Sequence, residues 1–226
     1  MGLAVSCPRC GGPVRPPDLM HSDWRCDDDG SVLPLHVAQH NSAEIVESAR
    51  ARVLASAQRC GQAIALPMWC PWPLLTGWVV TGVGWVGDDR SGVRATVVAC
   101  SGPGPVEDGP ADLVLVAEEP GIGLGNRFAG IPGPDPGLFL EGDLMSTTPH
   151  AKVKAAGWPT PLWMVKSMED RSAYVGEARG MWIYVVTWPA AAGYLLAEDL
   201  VLHDLTEDVP THLVYGAPSP YLHGRA

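Results

Sequence analysis

An α+β fold is predicted from three observations: a composition rich in glycine and proline, one amphipathic helical stretch, and a series of short apolar runs set off by turn residues. The 226 residues include 26 Gly and 22 Pro, yet 46% are hydrophobic. That combination describes a globular chain interrupted by many turns, and it excludes helical bundles and coiled coils as the main architecture. The expected order is a small cysteine-bearing head at 1–40, one long linking helix at 41–61, a mainly antiparallel β body at 62–205 and a proline-containing tail at 206–226.

The head carries the most specific signal. In Cys7-Pro8-Arg9-Cys10-Gly11-Gly12 two thiols separated by two residues precede glycine, the pattern of a metal knuckle. The backbone turns tightly there, its amides face the sulfurs, and glycine takes the conformation other residues resist. A second knuckle would read Cys-x-x-Cys-Gly or Cys-x-x-His-Gly. It begins at Cys26, but the chain reads Cys26-Asp27-Asp28-Asp29-Gly30. Gly30 keeps the register of the knuckle glycine, so Asp29 takes the fourth ligand position. His36 is the alternative fourth ligand, and His21 and His40 are further candidates. A module of ~30 residues cannot bury a sufficient core alone, so the expectation is a zinc-ribbon-like head organised by a structural Zn2+. No His-Glu-x-x-His motif accompanies the cysteines, which argues against a catalytic metal. The competing reading is a degenerate site that holds no ion.

Asn41-Ser42-Ala43-Glu44 reads as an N-cap with its glutamate at N3. Ile45, Val46, Ala49, Val53, Leu54, Ala57 and Cys60 follow at helical spacing, and Gly61 ends the helix. Beyond it, strands are expected at 75–86, 93–100, 111–117, 151–155, 161–165, 173–177, 182–188 and 193–197, the first three as an antiparallel meander.

Charge and cysteine use bound the function. The formal net charge is −10, from 25 acids and 15 bases. A surface of that sign repels phosphate backbones, which disfavours nucleic acid as a partner. Two uncharged stretches, 60–87 and 180–197, are interrupted by Pro67, Pro71, Pro73 and Pro189, so neither is expected to span a membrane. The N-terminal residues lack the features of a secretory signal, and six cysteines with knuckle spacing fit a reducing, cytoplasmic setting.

Gly121-Ile122-Gly123-Leu124-Gly125-Asn126 has asparagine where a dinucleotide-binding loop needs glycine, and prolines follow it, so it reads as an irregular loop. Glu118-Glu119 and Asp88-Asp89 read as solvated pairs. Ser146-Thr147-Thr148 beside His150 reads as loop polarity. The nine tryptophans are read mainly as core, with partial exposure at Met68–Pro73. No catalytic constellation emerges.

The phrases CPRCGGPVRPPDLMHSDWRC, WVVTGVGWVGD, GLGNRFAG, GWPTPLW, YVGEARG and TWPAAAGYLLAEDLVLHDL together resemble an uncharacterised actinobacterial family, a domain of unknown function with a zinc-ribbon head. The resemblance covers nearly the whole chain and implies no established activity. The expected function is that of a cytosolic, non-catalytic binding or regulatory protein that recognises a protein or small ligand. One alternative is an enzyme with a pocket near the 118–143 loop, using Asn126, Arg127 and His150; another is a subunit of a larger assembly.

Overall fold

The computed structural model describes residues 3–105, 109–137, 148–197 and 200–223. Ser146, Thr147 and the end of the 118–143 loop lie outside these. The head contributes β1 (Leu3–Ser6), β2 (Val14–Arg15), β3 (Arg25–Cys26), β4 (Gly30–Ser31) and β5 (Leu35–Ala38). Helix α1 (Ala43–Arg59) follows, then β6 (Trp69–Pro71), β7 (Val79–Asp88), β8 (Gly92–Pro103) and β9 (Pro110–Glu118). Next come α2 (Leu124–Ala129), β10 (Ala151–Ala155), β11 (Trp158–Val165), β12 (Ser172–Ala178) and β13 (Met181–Trp188). A 3-10 helix (Ala190–Ala197), β14 (Leu200–Asp204) and α3 (Pro220–His223) complete the order.

Eleven strands form one sheet in the order β1-β5-β7-β8-β9-β13-β12-β11-β10-β14-β6, and β2-β3-β4 form a separate three-stranded sheet. The pairing of β10 with β14 is parallel and the other named pairs in the large sheet are antiparallel, so that sheet is mixed.

This overturns the expected α+β arrangement of head, long linking helix and antiparallel body. The protein is mostly β. Strands β1 and β5 come from the head segment, yet they form one end of the large sheet, where Leu35 pairs with Val86 and Val37 with Gly84. Helix α1 therefore does not bridge two bodies. It starts at Ser42, whose hydroxyl accepts from the Ile45 amide at 3.3 Å, and it lays Val46, Ala49, Val53 and Ala57 into the core. Ser56 fastens it to the sheet by accepting from the Val93 amide at 2.6 Å.

The central strands are buried on both faces, which explains their near-continuous apolar sequences. Leu113, Leu115 and Ala117 of β9 face the layer that holds α1 and β6, and Val114 and Val116 face the layer that holds α2. The two layers obey the period-2 rule of a strand. Trp69, Trp78, Trp85 and Trp188 are buried, as the core reading expects, but Trp158 is 77% exposed.

Two further elements differ from expectation. Residues 193–197, expected as a strand, lie in the 3-10 helix. Its first turn closes when the Ala192 amide bonds the Pro189 carbonyl at 2.8 Å, and Gly193 has Tyr174 Oη 3.0 Å from where a Cβ would stand. Strand β14 was not anticipated, although Leu200, Leu202 and Asp204 alternate inward along it. The C-terminal segment docks on the sheet: Leu222 is 1% exposed, and Tyr221 stacks on Trp188 with ring centroids 4.6 Å apart.

Candidate metal centre

The first knuckle follows from two backbone bonds. The Cys7 amide donates to the Gly12 carbonyl at 2.8 Å, and the Gly11 amide to the Cys7 carbonyl at 3.0 Å. Gly11 has φ +75°, a left-handed value that favours glycine. The turn aims the Gly12 amide at Cys10 Sγ, 3.4 Å away. The second half is a short hairpin: β3 ends at Cys26, the turn carries Asp29, and Gly30 at φ +71° begins β4.

The two halves bring Cys7, Cys10, Cys26 and Asp29 together, with one ligand atom from each lying within 4.8 Å of the others. Cys10 Sγ and Cys26 Sγ are 3.4 Å apart, Cys7 Sγ lies 3.2 Å from Asp29 Oδ2, and Cys26 Sγ lies 3.7 Å from the same oxygen. The four residues are close enough to hold a metal ion. Cys7 and Cys26 are buried with Val32 beneath the cluster.

Burial pushes the Cys7 and Cys10 thiols up from their ordinary range. At Asp29 burial acts upward, but hydrogen bonds from Cys10, Cys7 and Cys26 outweigh it and hold the carboxyl below the usual range. A divalent cation would displace the thiol protons, so its binding releases protons.

The other residues singled out in the sequence go elsewhere. His36 on β5 bonds the Gly87 carbonyl at 3.0 Å and stacks on Trp85, outside the cluster. His21 pairs with Asp18, and His40 is exposed. Among the described residues, His150 lines a groove that neither Asn126 nor Arg127 lines. The Asn126 amide donates to the carbonyls of Pro132, Gly133 and Asp135, and its oxygen accepts from Tyr184 Oη at 2.7 Å, so it ties a loop to the sheet. Arg127 lies under the first knuckle, its Nη1 3.5 Å from the Cys7 carbonyl. His150 lies against β11, accepting from the Met164 amide at 3.2 Å, on a groove with Tyr174 and Tyr194.

One acid expected to be solvated is buried. Glu118 is 0% exposed. Its Oε2 accepts from the Leu124 and Gly125 amides at 2.8 and 3.2 Å, which starts α2, and burial pushes its carboxyl up to about 8. The short helix was hidden from sequence inspection by Gly123, Gly125 and the prolines that follow. Its neighbour Glu119 pairs with Arg94 at 2.7 Å.

A cleft of about 470 Å³ lies between the knuckle and small sheet and the large sheet, with Arg9 and Trp24 on one side and Val86, Arg94 and Ile122 on the other. Among the described residues no helix is long and apolar enough to cross a membrane.

Comparison with curated proteins and with solved structures finds no match. A family model described as a family of unknown function (DUF6758) matches residues 1–222. With nearly the whole chain covered, the protein belongs to the DUF6758 family.

Proposed function

We propose that the knuckle and the small sheet within residues 1–40 form a zinc-ribbon-like head whose structural Zn2+ is held by Cys7, Cys10, Cys26 and Asp29, and that the chain is a cytoplasmic, non-catalytic binding or regulatory protein. The observation that carries the zinc reading is the size of the ligand cluster. Zn–S bonds of about 2.3 Å and a Zn–O bond of about 2.1 Å at tetrahedral angles give an S–S edge of about 3.8 Å and an S–O edge of about 3.6 Å. The Cys10–Cys26 edge is 3.4 Å, two of the three edges to Asp29 are 3.2 and 3.7 Å, and no edge exceeds 4.8 Å. Three thiolates and a carboxylate suit a borderline-soft, geometrically tolerant ion such as Zn2+.

The structural role is supported by what the ion would organise. Among the described residues, the apolar cluster at the small sheet joins Cys7 and Cys26 to Val14 and Val32 alone. The binding role is supported by Leu19 and Met20, fully and 85% exposed on the loop between β2 and β3, and by the cleft beneath the head. The scarcity of lysine, three among 15 Lys and Arg residues, supports an actinobacterial origin.

The test is zinc titration of the full chain in competition with a chromophoric chelator, beside Cys26→Ser. One zinc per wild-type chain and a large loss of affinity in the variant are expected. Equal retention by both would overturn the ligand assignment.

A further inference from the structure

We infer that Arg127, brought from α2 to the underside of the first knuckle, is the counter-charge of the metal centre and couples its occupancy to the seating of the head on the sheet. The inference rests on the metal-site reading above and goes beyond it in assigning a residue 120 positions from Cys7 in the chain.

The local geometry is close. Arg127 is 9% exposed, and its guanidinium approaches the Cys7 carbonyl. A Cβ on Gly11 would stand 2.7 Å from Nη2 and 2.9 Å from Cζ, so the knuckle backbone rests on the guanidinium itself. The reverse reach is made by Arg9, the residue before Cys10. Its Nε and Nη2 donate to the Ile122 and Gly121 carbonyls at 3.2 and 2.9 Å, in the loop that leads into α2. Two arginines thus cross the same interface in opposite directions.

Charge gives this clasp a purpose. Three thiolates, one carboxylate and a divalent ion sum to −2, so a loaded site carries net negative charge. A buried cation beside Cys7 favours the loaded form, and the benefit is large because water does not screen it. An arginine keeps its charge when buried, which suits it to this place better than a lysine. Reciprocally, a loaded site holds Arg127 more firmly and so holds α2 against the head.

The test uses the full chain as wild type, Arg127→Met and Arg127→Lys, each titrated with Zn2+ alone against a competing chelator. Removing a partner of this kind from a metal site costs about 10- to 100-fold in affinity. Arg127→Met is expected to bind zinc at least about tenfold more weakly, and Arg127→Lys to recover most of that loss, a rescue that a purely space-filling role would not give. Unchanged affinity in Arg127→Met, or equal weakening in both variants, overturns the assignment while leaving the metal site standing. A wild-type chain that takes up no zinc overturns both readings. Should Arg127→Met fail to fold, hydrogen exchange on the wild type decides: chelation is expected to speed exchange of the 124–130 amides, and unchanged exchange there overturns the coupling.

Discussion

Replacing Glu118 with glutamine is predicted to abolish a pH dependence built into the centre of the sheet. Glu118 is wholly buried, and burial pushes its carboxyl up to about 8 against the downward pull of the Gly125 and Leu124 amides. In the unfolded chain a glutamate titrates near 4.3, and each unit of difference is about 1.4 kcal/mol. The folded state therefore keeps a proton on Glu118 that the unfolded state releases between about pH 4.3 and pH 8. Fewer protons on the unfolded chain mean that stability falls as pH rises across that window, then levels off above it. The full difference approaches 5 kcal/mol. Glutamine retains an oxygen to accept both amides but carries no charge. Its amino group takes the place of Oε1, which has no hydrogen-bond partner among the described residues, and that costs about 1–3 kcal/mol. The expected net gain of Glu118→Gln at about pH 8.5 is about 2–4 kcal/mol, shrinking or reversing at about pH 5. Urea unfolding of zinc-saturated wild type and variant at both pH values measures it. A variant less stable than wild type at the higher pH, or a difference that does not change with pH, would refute the reasoning.

Two other substitutions test the packing. Asp204, 2% exposed, accepts from the Met68 amide, the Thr206 amide and the Thr206 hydroxyl through one oxygen, and pairs with Arg179 at 2.8 Å through the other. Asp204→Ala leaves those donors without their acceptor and is expected to lose about 3–5 kcal/mol in denaturant unfolding; a loss below 1 kcal/mol would contradict it. A Cβ on Gly125 would stand 2.1 Å from the Tyr184 ring. Gly125→Ala is expected to cost about 1–3 kcal/mol and lower the melting temperature, and an unchanged melting curve would show that α2 can shift freely.

The parts of the fold legible in the sequence are those fixed by local chemistry. The Cys7–Gly12 knuckle, the Gly30 register and the Ser42-capped helix each follow from a few neighbouring residues, and each lies where spacing put it. Strands β8, β9 and β13 were legible because their apolar runs are long. The membership of β1 and β5 in the large sheet was not, because a four-residue strand is defined by partners distant in sequence, such as Leu35 with Val86. Glu118 was misread for a related reason. Alternation shows that Glu118 and Glu119 face opposite ways, but not that one of those faces is covered by α2. Asn126 and Arg127 were singled out together as ligand-binding polar groups, yet tertiary contacts give one to a loop and the other to the underside of the knuckle.

X-ray absorption at the zinc edge of the freshly isolated full chain reads the ligand set of the head without any substitution. Three sulfur atoms at about 2.3 Å and one oxygen at about 2.0–2.2 Å are expected. An absent zinc signal, or a shell of nitrogen and oxygen alone, would contradict a centre built on Cys7, Cys10, Cys26 and Asp29.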